Sequence, residues 1–128
     1  MNPTFNQIAA ALRRSWAADT AFDASDWSAE NPARGQCVVT ALVVQDYLGG
    51  DLQRYEVTGD FTETHYTNVL SGGAILDVTA SQYEGRKVHL TSTPTNLKGF
   101  SSIREKRLAD SSTRMRYEIL KARVAKEL

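Results

Sequence analysis

The sequence predicts an α+β fold: one central helix, carrying the sole cysteine, packs on a small antiparallel sheet between N- and C-terminal helices. Three observations carry this expectation. The densest apolar run, residues 37–48, is bracketed by Gly35 and by Gly49-Gly50. Within it Val38, Ala41, Leu42, Val44 and Leu48 recur at intervals of three and four, the period of a helix. Two stretches rich in β-formers, residues 65–70 and 74–78, flank Ser71-Gly72-Gly73, the composition of a hairpin. Amphipathic segments toward each end supply the outer helices.

Residues 4–17 read as the first of these. Thr4 with Gln7 matches a capping box, and Phe5, Ile8, Ala9, Leu12 and Trp16 form one apolar stripe from which Arg13 and Arg14 diverge. Residues 19–30 are acidic and turn-prone, with Phe22 and Trp27 expected to anchor on the core. Asn31-Pro32-Ala33-Arg34-Gly35 is a loop that delivers the chain into the cysteine helix, a common location for binding chemistry. Strand is the competing assignment for residues 37–48, because Val38-Val39 and Val43-Val44 are β-branched. The length and the terminal glycines favour helix. Only Thr40, Gln45 and Asp46 interrupt its apolar surface after Cys37, so it is expected to be central and mostly buried.

Residues 52–58 read as a strand and 59–64 as a polar loop. The hairpin that follows has two possible registers. A two-residue Gly72-Gly73 loop places Asp77 opposite Asn68, with His65 on the other face. A three-residue Ser71-Gly72-Gly73 loop places Asp77 opposite Thr67, and His65 then shares its face one diagonal step away. Glycine at the third loop position favours the three-residue turn. Beyond it, Thr79-Ala80-Ser81-Gln82 forms a short turn or helix, residues 86–91 add a strand with a surface His89, and residues 93–99 form a loop. A short helix is expected at 103–108. A C-terminal helix from Ser111 or Ser112 to about Lys126 follows, with Met115, Ile119, Ala122 and Val124 inward. Its Arg114, Arg116, Lys121, Arg123 and Lys126, interleaved with Glu118 and Glu127, read as a solvated charged face.

The 128 residues suffice for one domain, residues 1–128, with a core of its own. Formal net charge is zero, so no global field points to nucleic acid or an anionic membrane. The absence of a membrane-length apolar run or a leader-like N-terminus makes a cytoplasmic protein the expectation. One cysteine with His65 and His89 makes a poor metal set, so neither metal nor cofactor is expected.

In chain order the sequence offers a helix-start cysteine, a strand-start histidine and a carboxylate on the paired strand. A thiol at a helix N-terminus meets unpaired N–H groups and the positive end of the macrodipole, both of which favour thiolate. The alternative is that Cys37 is a small apolar core filler. A catalytic thiol needs a base, for which imidazole suits neutral pH, and the base needs a partner on its other nitrogen. These roles fall to Cys37, His65 and Asp77, with Asn68 the nearby substitute for Asp77. Oxyanion stabilisation would come from the Cys37 N–H and a side-chain amide, Gln36 or Asn31.

This order resembles the papain-like and transglutaminase-like superfamily, in which a cysteine starts a central helix packed on an antiparallel sheet that carries histidine and then Asp or Asn. More narrowly, Arg34-Gly35-Gln36-Cys37 with Thr40-Ala41-Leu42, Gln45-Asp46 and Gly49-Gly50 is similar to a family of small bacterial proteins, the YunG type. His65-Tyr66-x-Asn68, Asp77-x-Thr79 and Arg116-Tyr117-x-x-Leu120 extend the likeness over about residues 27–124. In papain-like proteases the oxyanion glutamine stands six residues before the cysteine, where this chain has Asn31.

The reading that follows is a cysteine-dependent hydrolase or acyltransferase acting on an amide, isopeptide or thioester bond. Its substrate would be a small molecule, a peptide or a protein side chain, because the chain is short for building a long cleft. The alternative is a non-catalytic peptide- or protein-binding module on the same fold. A nucleic-acid role for the basic C-terminal helix is disfavoured by the neutral charge.

Overall fold

The computed structural model describes residues 2–128 and is α+β, with four α-helices and a four-stranded antiparallel sheet among the described residues. Helix α1 (Phe5–Ser15) begins as its sequence requires. Thr4 Oγ1 accepts the Gln7 N–H at 3.2 Å, and Gln7 Oε1 accepts the Thr4 N–H at 2.8 Å. Ile8, Ala9 and Leu12 are buried, and Trp16 behind them donates its Nε1–H to Thr40 Oγ1 at 2.9 Å. That bond joins α1 to helix α2 (Cys37–Leu48).

Helix α2 buries Val38 through Val44 without a break. A helix apolar on all sides belongs in the interior, and α2 lies between the C-terminal helix α4 (Ser111–Glu127) and the sheet. Its paired valines tolerate the helix because tertiary packing outweighs their modest propensity. Gly50 leads directly into strand β1 (Asp51–Gly59). With φ at +76°, a Cβ on Gly50 would stand 2.3 Å from the Val69 carbonyl oxygen, so the backbones approach too closely for any side chain.

Strands β2 (Glu63–Val69), β3 (Ile75–Leu76) and β4 (Val88–Thr93) complete the sheet in the order β3-β2-β1-β4. The turn between β2 and β3 is the three-residue one. Leu70 N–H donates to Ala74 O at 2.8 Å, Gly73 N–H donates to Leu70 O at 2.8 Å, and Gly73 takes φ +89°. Asn68 pairs with Leu76 and Val69 with Ile75, so the same register carries Asp77 toward Thr67 and onto the side of His65.

Three expectations need correction. Phe22 is 78% exposed rather than a core anchor, and its ring stands 5.7 Å from the Arg116 guanidinium. Helix α4 turns a different stripe inward: Thr113, Arg116, Tyr117, Leu120 and Val124 are buried, whereas Met115 is 65% exposed and Ala122 is exposed. Both stripes have helical spacing. The polar tips decide, because Tyr117 Oη donates to Asp46 on α2 and accepts from Arg104 Nη2 at 3.0 Å. Arg116 thereby enters the interior instead of a solvated face. Strand β4 runs two residues later than the expected 86–91, and its His89 is exposed. Helix α3 (Ile103–Leu108) precedes α4, and among the described residues no helix is long and apolar enough to cross a membrane.

Substituting Gly50→Ala is expected to lower the free energy of unfolding by about 2 kcal/mol or more, through backbone displacement and left-handed strain. Gly72→Ala has open space and a negative φ, and is expected to stay within about 0.5 kcal/mol of wild type. Urea unfolding of the two variants checks both values.

Candidate active site

Cys37 is the first residue of α2 and is half-buried. The turn before it is tightened by Gln36 N–H donating to Ala33 O at 3.1 Å, and Thr40 N–H closes the first helical turn on Gln36 O at 3.0 Å. No side chain caps this helix. Cys37 lines a cleft of about 760 Å³ whose walls include Arg34, Glu63, Gln82 and Arg116.

His65 on β2 is completely buried. Its Nε2 lies 3.0 and 2.9 Å from the two Asp77 carboxylate oxygens. The Tyr83 and His65 rings stand edge to face, their centroids 5.3 Å apart. Asp77 therefore takes the Nε2–H and leaves Nδ1 facing Gln82 Nε2 at 3.5 Å. Burial alone would make the imidazole harder to protonate. Hydrogen bonding to Asp77 and Cys37, together with their negative charge, outweighs that cost and lifts the His65 pKa to about 9.

Gln82 ties His65 to the entry loop. Its Oε1 accepts from Arg34 Nη1 at 3.2 Å and from Gly35 N–H at 3.4 Å, while its Nε2 donates to Thr79 Oγ1 at 3.3 Å. Two donors on Oε1 fix the amide so that its NH₂ group faces His65. Arg34 also grips Glu63 through Nη1 and Nη2 at 2.7 and 2.6 Å, and Asp26 through Nε at 2.9 Å. These bonds, with Glu63 foremost, hold the guanidinium firmly charged against the opposing effect of burial. Tyr83 Oη donates to Glu63 at 2.7 Å, and its hydroxyl is held protonated by burial first and by Glu63 second.

The structure brings His65 and Asp77 together, as the three-residue register requires, and sets Cys37 on the wall of the cleft. The amides behave differently. Gln36 is fully buried and donates to Ala17 O at 3.0 Å, Asn31 donates to Gln82 O at 3.1 Å, and Asn68 donates to Ala41 O at 2.8 Å. None of the three lines the cleft, and each spends its NH₂ group on a backbone carbonyl. Sequence reasoning missed Gln82, Glu63, Tyr83 and the inward Arg116. The one available signal was Arg34, which stands in the distinctive stretch before Cys37 with no role assigned. Among the described residues no group of three His, Cys, Asp or Glu side chains is placed to hold a metal ion.

Because His65 binds its proton more tightly in the folded state than at its ordinary 6.5, the associated stability is fully present below that pH. It is lost as pH rises through about 9. Wild type is expected to lose up to about 3 kcal/mol across this window, and Asp77→Asn to lose less. Thermal melts between about pH 6 and pH 10 measure the difference.

The family model described as YunG protein matches residues 4–128. A Bacillus subtilis (strain 168) protein named "Uncharacterized protein YunG" is 36% identical over 73 residues, covering 57% of this chain and 57% of that protein. The chain thus spans little more than half the length of that curated relative. No solved structure matches.

Proposed function

The chain belongs to the YunG family, and we propose that it is a cysteine-dependent hydrolase or acyltransferase with a papain-like/transglutaminase-like core. One observation carries this reading: a fully buried histidine is held at Nε2 by Asp77, and Cys37, which favours the protonated imidazole, opens a helix on the wall of the cleft. Core filler would not need a charged partner behind a buried imidazole, since burying such a pair is costly without a use for it.

In this reading Cys37 Sγ attacks the carbonyl carbon of an amide, isopeptide or thioester, and its proton resides on His65 Nδ1. The carbonyl oxygen takes the negative charge and is met by the uncapped first-turn N–H groups of α2, that of Cys37 among them. Collapse breaks the bond to the leaving group, which takes the proton from Nδ1, and a thioester remains on Cys37. Water or an amine then gives a proton to Nδ1 and attacks the thioester, releasing the acyl group and restoring the thiol. Asp77 stabilises the imidazolium at both proton transfers without itself being protonated. The cleft volume of about 760 Å³ suits a small molecule or a short segment of peptide.

Iodoacetamide labelling of the native protein tests the nucleophile. An ordinary thiol loses about a hundredfold in rate between roughly pH 8.5 and pH 6 as its thiolate disappears. Wild type is expected to lose far less, and His65→Ala to fall off as an ordinary thiol does. A Cys37 that labels only after unfolding would make it a core residue and end the enzyme reading.

A further inference from the structure

The cleft around Cys37 is short of acceptors. Six buried polar side-chain atoms lack a partner among the described residues, and four of them belong to cleft-lining side chains: Thr95 Oγ1, Arg107 Nε, and Arg116 Nε and Nη1. Three are guanidinium nitrogens, which only donate, and the hydroxyl can donate as well, so a group that accepts satisfies all four. Arg116 is the most demanding. It is 8% exposed, its Nη2 donates to Thr113 Oγ1 at 3.2 Å, and among the described residues no carboxylate pairs with it. A buried guanidinium without an anion is unfavourable in a protein that uses the site for nothing. Burial weakens its hold on the proton, and the two groups that oppose this are Asp110 and Cys37, which puts Arg116 in the field of the nucleophile.

The remaining charges of the cleft agree. Its carboxylates are engaged: Asp26 and Glu63 by Arg34, Asp110 as the cap of α4, and Asp23 as the cap of Ser25. Its cations Arg54, Lys106 and Arg107 have no carboxylate partner among the described residues. Lys106 instead bonds the Asn96 carbonyl and lies among like charges. The cleft lining carries five cations against four carboxylates, a small positive excess in a chain that is neutral as a whole.

We propose that the Cys37 cleft takes an anionic acyl substrate, whose carboxylate docks on Arg116 beside the reacting carbonyl. This deepens the acyl-transfer reading and rests on it. The substrate class is an amide or thioester of an acidic compound, one carboxyl group being the reacting acyl and the other free. Phe22, exposed and standing over the guanidinium, forms the outer wall of that pocket.

Two alkylating agents of nearly equal size test the claim, iodoacetate with a carboxylate and iodoacetamide with a neutral amide. In both, the thiolate sulfur forms a bond to carbon as iodide leaves. The readout is the ratio of the two labelling rates on the native full chain, compared with the same ratio for N-acetylcysteine. Taken within each protein, the ratio cancels changes in thiol reactivity. Wild type is expected to exceed the free-thiol ratio by about tenfold at low salt, Arg116→Gln to fall close to it, and Arg116→Lys to lie between. Succinate, but not succinamide, is expected to protect wild type from iodoacetamide, a measurement that needs no variant. Rapid iodoacetamide labelling with a free-thiol ratio and no succinate protection would overturn the anion site and leave the nucleophile intact. A high ratio unchanged in Arg116→Gln would remove Arg116 from the proposal. Native protein that neither reagent labels would end both readings together.

Discussion

The contact between His65 Nε2 and the Asp77 carboxylate is the constraint around which this small sheet is arranged. It exists only because the β2–β3 turn contains three residues, with Gly73 in the left-handed region. One residue fewer would move Asp77 opposite Asn68 and to the other face from His65. Strand β3 contributes just two residues to the ladder, and Asp77 follows directly after them. The short strand serves mainly to deliver that carboxylate. Once it is in place, the buried imidazole is held at Nε2, and its Nδ1 is turned toward Gln82.

A second layer holds the cysteine end. The loop before Cys37 is fastened by Arg34 to Glu63 and Gln82, and Gln82 reaches His65 from the opposite direction. The cysteine loop and His65 are therefore cross-linked through one arginine and one amide. The same arginine pairs with both nearby carboxylates, Asp26 and Glu63, and so keeps them turned away from Arg116. Arg34 and Arg116 thus divide the work: the first is fully paired and structural, the second is buried and unpaired.

Much of this was legible in the sequence, for identifiable reasons. The capping box at Thr4, the glycine-bounded apolar helix and the glycine third in its turn are local signals, and local chemistry fixes each of them. The meeting of His65 with Asp77 was legible through register alone. The amides were not, because nothing local distinguishes an amide that donates into a cleft from one that donates to a backbone carbonyl. Gln36, Asn31 and Asn68 all do the latter. Helix α4 misled for a similar reason. Met115 and Ala122 outrank Tyr117 and Arg116 on hydrophobicity, yet the hydrogen bonds of Tyr117 to Asp46 and Arg104 set the rotation of the helix. A partner on a distant element decided the face, and spacing could not reveal it.

The most direct test of the central claim, that Cys37, His65 and Asp77 form one ionisable unit, is the ¹⁵N NMR titration of the His65 ring in wild type and in Cys37→Ala. The account predicts a protonated imidazole at neutral pH that titrates near 9 in wild type, and a downward shift once the sulfur is removed. A ring that is neutral at pH 7, or one whose titration ignores the loss of Cys37, would contradict it.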